Sequence, residues 1–289
     1  MSSISTVFGY VLNYIYGLVQ NYGFAIIIFS VLLKIVLLPL SIKQQKTMKK
    51  TTEVQGKMEE IREKYKNDQV KMNQETLELY KKEKISPFGG CLTSILQIIL
   101  LLAIFGLIRS PLTYMKKIDV ETIEKYKQEM KQSEGENSIS ANYPEISILK
   151  YVNKNKTQED PLYINMDFLG VDLSKVPQEN LKDPTVYIIP VLYILTTIIS
   201  MKITTKATEK PKEGKKQLEE DKEEGKEKKE EELSMQEDMT KQMNKSMSWF
   251  MPIMSVSIAL IAPLGLALYW LVNNILMIVE RLIINKYVK

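Results

Sequence analysis

The stretch FAIIIFSVLLKIVLLPL, Phe24 to Leu40, decides the fold: it runs for 17 residues with Lys34 as its one charge. A hydrocarbon core of about 30 Å takes about 20 apolar helical residues, so the stretch reads as a membrane span, placed over residues 23–40. Three further uncharged stretches match it. Cys91 to Ile108 holds 18 residues and Thr185 to Met201 holds 17, giving spans over 91–109 and 185–201. Ser246 to Val279 is uncharged for 34 residues, too long for one span. Pro263-Leu264-Gly265 near its middle is a tight-turn signal and divides it into spans over 246–262 and 264–280. The expected fold class is an all-α integral membrane protein with five transmembrane helices.

The segments between the spans differ sharply in character. Residues 1–22 carry no charge and no basic n-region of a signal peptide. Val7, Tyr10, Val11, Tyr14 and Leu18 recur at helical spacing, which reads as an amphipathic helix in the headgroup layer rather than as the start of the first span. Residues 41–90 hold twelve Lys or Arg and eight Asp or Glu. Met58, Ile61 and Tyr65 form one stripe, Asn67-Asp68 offers a turn, and Leu77 and Tyr80 begin a second stripe. The expectation is a charged helical hairpin standing in water. Residues 110–184 form a long, net acidic outer loop, with ten Lys and thirteen Asp or Glu. Residues 202–245, with twelve Lys and thirteen Asp or Glu, are low complexity and read as a solvated cytosolic loop. Residues 281–289 read as a short tail.

Positive charge near span ends sets orientation. Lys43, Lys46, Lys49 and Lys50 follow the first span, and Lys81, Lys82 and Lys84 precede the second. Lys202 and Lys206 follow the third, Lys241 and Lys245 precede the fourth, and Arg281 and Lys286 follow the fifth. The N-terminus is expected outside and the C-terminus in the cytosol, with Arg109, Lys116 and Lys117 running against the rule.

Whole classes of chemistry drop out. The chain has no His, so it has no Ser-His pair and no HExxH zinc site. The lone Cys91 offers neither a disulfide nor a CxxC pair. No glycine spacing cradles a nucleotide phosphate, and a dispersed net charge of +4 does not suit a nucleic-acid binder. No enzyme activity, metal or other cofactor is expected. No Asp or Glu is read inside any span, which speaks against carboxylate proton relays.

Lys34 then stands out. A lysine at the centre of a span costs about 2.5–3.5 kcal/mol, and with no acid read in a span it is expected to be hydrated or to await an anion brought by something else. Snorkelling to the interface is the plainer alternative. Polar residues in other spans extend the first reading: Ser30 lies one turn before Lys34, Ser94 and Gln97 share a face of the second span, Thr196, Thr197 and Ser200 cluster in the third, and Trp270 and Asn273 share a face of the fifth.

Four stretches, in this order, resemble the YidC/Oxa/Alb membrane protein insertases: Leu33 to Leu40 with its Lys34 and Pro39; the Glu63-Lys64-Tyr65 region through Leu79-Tyr80; Pro87 to Gln97 with Gly90-Cys91-Leu92; and Met251-Pro252-Ile253 followed by Pro263 to Trp270. The resemblance implies five spans around a hydrophilic groove, open to cytosol and lipid and closed outside, in the bacterial plasma membrane. It places the groove's basic residue at Lys34, where relatives commonly carry Arg. A Gln of the third span falls at Ser200, and an aromatic of the fifth at Trp270. The candidate groove residues are therefore Lys34, Ser30, Ser94, Gln97, Ser200, Trp270 and Asn273.

The function implied is a membrane protein insertase and chaperone for small membrane proteins. Its partners would be newly made membrane proteins and the lipid bilayer, with the Sec translocon and the ribosome as further candidates. The alternatives are a secondary transporter or channel with a cytosol-facing cationic site, and a non-catalytic assembly scaffold.

Overall fold

The computed structural model of this chain describes residues 2–66, 68–83, 89–208 and 257–287. The expected 202–245 loop and the span over 246–262 therefore lie almost wholly outside the described residues. Only the end of that span, residues 257–262, is described, and 257–261 are helical. Among the described residues three helices are long and apolar enough to cross a membrane: Tyr22–Thr47, Pro184–Ile203 and Leu264–Ile284.

Helix α1 (Ser2–Val19) ends where Gln20 turns to a positive φ of 51° and Asn21 is extended. The Asn21 side chain then accepts from the Phe24 amide at 3.2 Å and caps α2. The first helix is thus a separate element, not the first turns of the span. Its expected stripe is the outward face: Val7, Tyr10, Tyr14 and Leu18 are exposed, while Ser5, Leu12 and Ile15 are buried against the protein. Both sides of α1 are therefore apolar, one filled by protein and the other left for the surroundings.

Helix α2 (Tyr22–Lys64) runs unbroken for 43 residues, about 65 Å. The expected boundary at Leu40 is a change of composition but not of backbone, and Pro39 sits inside the helix. The charged hairpin is the far part of α2 turning back into α3 (Gln69–Lys82), whose N-cap Asp68 accepts from the Lys71 amide at 3.0 Å. Lys57 meets Glu83 at 2.5 Å across the pair, and Tyr65 donates to Glu75 at 3.3 Å. Leu77 is 60% exposed, so the inward face of α3 runs through Met72, Thr76 and Leu79 instead.

Helix α4 (Gly89–Arg109) covers the expected second span and passes into a π-helical turn, Leu112–Lys116. The segment beyond is more than a loop. It holds α5 (Val120–Glu134), α6 (Pro144–Asn155) and a small hairpin of β1 (Asp167–Phe168) and β2 (Val171–Asp172). Leu169 and Gly170, both at positive φ, make the two-residue turn between the strands. Ile123, Met130, Ile148, Leu149, Val152, Leu162, Ile164 and Val186 are buried within it. This folded unit grips the membrane helices at one end: Asn165 O accepts from the Tyr22 amide at 3.0 Å, and the Leu173 and Lys175 carbonyls accept from Gly265 and Leu264 at 3.0 and 2.9 Å.

Helices α7 (Ile188–Thr208) and α8 (Leu264–Tyr287) pack against each other, and α8 also packs against α2. Burial is graded along them. Next to the 110–187 unit, Ala25, Ile26 and Phe29 of α2, Ile189 and Tyr193 of α7, and Leu264 to Leu271 of α8 are largely closed off. Farther along, Ile35, Val36, Ile198, Ile199, Ile275 and Val279 are exposed. Burial is thus heavier at the convergent end, next to that unit, than at the open end, although Ser200, Glu280 and Ile284 stay buried there.

The convergent end carries an acid-sensitive staple. Asp183 accepts from Lys175 at 2.7 Å and from the Thr185 hydroxyl and amide at 2.7 and 3.0 Å, which holds its carboxyl down at about 2. An unfolded Asp titrates at about 3.9. The folded value is the lower one, so the stabilisation is full above the unfolded value and drains away as pH falls from about 4 to 2. Thermal melts in detergent should show wild type above Asp183→Asn at pH 6, with the gap closing over that acid window. A gap independent of pH would show that the carboxylate contributes shape rather than charge.

Candidate functional site

Lys34 lies just beyond the tightly packed end of α2, twelve residues and about 18 Å past Tyr22. Tyr22 is next to Gly265 at the start of α8, where an added Cβ would meet the tyrosine ring at 3.5 Å. Fifteen residues along α8, about 22 Å, the chain reaches Glu280. The two helices run in the same direction from a shared start, so residues 34 and 280 arrive at nearly the same depth.

There they meet. Lys34 Nζ is 2.5 Å from Glu280 Oε2, with the lysine side chain 21% exposed and the glutamate 6%. This overturns the expectation that no span carries an acid and that Lys34 lacks an acidic partner. The uncharged run ends at Val279, and Glu280 follows it at the last position of the expected fifth span, while the helix continues to Tyr287. An acid at the margin of an apolar run looks interfacial in one dimension, yet the parallel packing of α2 and α8 folds it inward. A signal did exist. Trp270, Asn273 and Glu280 are spaced by three and seven residues, which puts Glu280 on the face that Trp270 and Asn273 already mark.

The other candidates are distributed around this pair. Ser30 is buried and donates to the Ile26 carbonyl at 2.7 Å, a back-bond within α2 that leaves its hydroxyl turned to its own helix. Ser200 of α7 is buried, 6% exposed. Trp270 of α8 packs against Tyr193 of α7 with ring centroids 6.0 Å apart. Asn273 is exposed, whereas its neighbour Asn274 reaches α7 and donates to the Thr197 hydroxyl at 2.8 Å. Asn274 is therefore the polar tie between these helices. Ser94 and Gln97 lie in α4, and their side chains fall outside the described residues.

A cation with an acid beside it changes what the site can do. An isolated ammonium would hold an incoming anion strongly in a low-dielectric setting, whereas a neutral pair offers an anion only the donors of Lys34 that Glu280 does not use. Lys34 is also the more accessible member of the pair. Among the described residues there is no group of His, Cys, Asp or Glu that could hold a metal ion.

The 60Kd inner membrane protein family matches residues 14–289. The chain belongs to that family. It is also similar to proteins named membrane protein insertase YidC from several bacteria. The identity is 44% over 110 residues with that of Caldanaerobacter subterraneus subsp. tengcongensis, covering 38% of this chain and 53% of the relative. With Fusobacterium nucleatum it is 47% over 92 residues, covering 32% and 45%. With Syntrophus aciditrophicus it is 52% over 87 residues, covering 30% and 16%. The aligned part thus spans about half the length of the first two relatives and a sixth of the third. The resemblance to the YidC/Oxa/Alb proteins read from the four sequence stretches is borne out at the level of the family, and the chain is a membrane protein of that family.

Proposed function

We propose that this chain is a membrane protein insertase and folding helper that works without covalent chemistry. Five spans enclose a hydrophilic groove open to the cytosol and to lipid, the N-terminus lies outside, and the C-terminus is cytosolic. The observation that carries this reading is the placement of Lys34: a charged side chain of a membrane span, partly exposed, on the open half of a bundle whose other half is sealed by the 110–187 unit. A wet notch on one side shortens the hydrocarbon path for a short hydrophilic segment, and an accessible ammonium in it favours acidic segments. Clients are small membrane proteins with short translocated tails. The bilayer is the other partner, with the Sec translocon and the ribosome as candidate collaborators on the cytosolic side.

Glu280 supplies the intramembrane carboxylate whose expected absence spoke against a transporter, so that contrast no longer separates the two readings. The family does favour the insertase, and reconstitution decides. Purified protein in liposomes should integrate a small single-span client supplied from outside the vesicle. A transporter would move solute instead, and a scaffold would do neither.

The hairpin is the proposed point of client capture. Its tip is held locally, with the Lys64 and Lys71 ammonium groups 5.3 and 5.5 Å from the Tyr65 ring centre, and it stands well away from the convergent end of the bundle. Deleting residues 65–71 should leave the melting temperature in detergent nearly unchanged and slow client insertion several-fold. Insertion at the original rate would reduce the hairpin to a linker.

A further inference from the structure

Glu280 is a feature of the site that neither the resemblance nor the proposed mechanism uses. Its Oε2 holds Lys34, and its Oε1 is buried with no hydrogen-bond partner among the described residues. A buried carboxylate oxygen left unpartnered is costly, and in a merely structural ion pair both oxygens would be expected to find donors. Lys34, by contrast, has three donor hydrogens and the greater exposure. The pair is therefore lopsided, with the base the more exposed member and the acid the more buried.

We infer that Glu280 is an internal counter-ion that competes with acidic client segments for Lys34 and so makes their capture brief. The inference rests on the insertase reading and deepens it by assigning the site's charge selectivity and its release step to the Lys34–Glu280 pair. A client carboxylate that takes the remaining donors of Lys34 creates a carboxylate–ammonium–carboxylate arrangement whose three groups sum to −1, with the Arg281 guanidinium as the further charge that Glu280 feels. The fixed charge of Glu280 then repels the client while the shared ammonium attracts it. Binding is strong enough to draw the segment into the open end and weak enough to let it go. A lone cation in the same place would trap it.

Two variants test this in full-length protein reconstituted in liposomes. The probe is a single-span client with an aspartate-containing translocated tail, beside a counterpart whose aspartates are asparagines. Client dwell is followed by photocrosslinking from a residue of the client tail. Glu280→Gln keeps a group that can accept from Lys34 and removes the charge, so release of the aspartate client should slow at least about tenfold, a factor equal to about 1.4 kcal/mol, with the asparagine client unaffected. Equal release of the aspartate client from wild type and Glu280→Gln would overturn the inference.

The swapped pair, Lys34→Glu with Glu280→Lys, retains an ion pair for folding but makes the acid the more exposed member. It should favour a lysine-containing tail over the aspartate tail. If the pair only holds α2 against α8, the swapped protein will keep the wild-type preference, and the inference falls. Integration of the asparagine client by wild-type protein reports on the insertase reading separately. Integration with unaltered dwell times defeats the counter-ion role alone, whereas no integration of any client defeats the insertase reading and this inference with it.

Discussion

Lys34→Leu should destabilise the helix bundle by about 3–5 kcal/mol, because it leaves Glu280 buried, charged and without its partner. The opposite sign follows from the sequence alone, where removing a lone lysine from mid-span relieves a cost of about 2.5–3.5 kcal/mol. What decides between them is the 2.5 Å contact with a glutamate only 6% exposed. Replacing both members, Lys34→Leu with Glu280→Leu, should recover the loss, since an apolar pair in place of a buried ion pair is often neutral or stabilising by about 1–4 kcal/mol. The expected pattern in detergent melts is a poor single variant and a good double variant, a coupling of several kcal/mol that unlinked sites would not show. The stable double variant should nevertheless lose its preference for acidic clients, which separates folding from function in one protein. A Lys34→Leu protein as stable as wild type would mean that the two helices do not hold the pair together in solution.

That reversal of sign shows which parts of the molecule a sequence discloses. Span existence was legible because it depends on run length against a fixed hydrocarbon thickness, and Phe24 to Leu40, Thr185 to Met201 and the stretch after Pro263 all appear as long apolar helices. The separate first helix was legible as well, since its stripe at Val7, Tyr10, Tyr14 and Leu18 is local. Its inner face was harder, because Ser5 and Gly9 look unremarkable until α4 and the π-helical turn arrive against them from more than ninety residues away. The 110–187 unit escaped for a related reason. Its strands are two residues each, too short for any alternation to register, and its order comes from tertiary contacts such as Thr113 with Glu145. Glu280 escaped because charge counting along the chain assigns the last residue of an apolar run to the interface. Only the parallel packing of α2 and α8 shows that it faces Lys34. Within the candidate site the cation was therefore readable, and its counter-ion was readable only as a residue on the Trp270–Asn273 face.

The seat of the first helix gives the other large effect. Gly9 of α1 lies so close to the π-helical turn that a Cβ would fall 1.9 Å from the Tyr114 carbonyl oxygen and 2.5 Å from its carbon. The obstacle is backbone, so no rotamer relieves it. The turn cannot withdraw cheaply either. Thr113 donates through its amide and hydroxyl to the buried Glu145 carboxylate at 3.0 and 2.6 Å, and Tyr114 N–H donates to Ser110 O at 3.0 Å. Gly9→Ala must therefore push α1 outward, which also strains the buried bond from the Ser5 hydroxyl to the Ala103 carbonyl at 2.8 Å. Overpacking of about 1–3 kcal/mol and a weakened hydrogen bond of about 1 kcal/mol add to a loss of about 2–4 kcal/mol. Gly17 on the same helix is the control, because a Cβ there meets nothing within 4 Å. Gly17→Ala should stabilise by up to about 1 kcal/mol through helix propensity alone. One methyl group placed eight residues apart on one helix should thus move the melting temperature in opposite directions, with faster amide exchange across α1 only for the Gly9 variant. Equal stability of the two alanine variants would show that α1 does not rest on the Tyr114 turn.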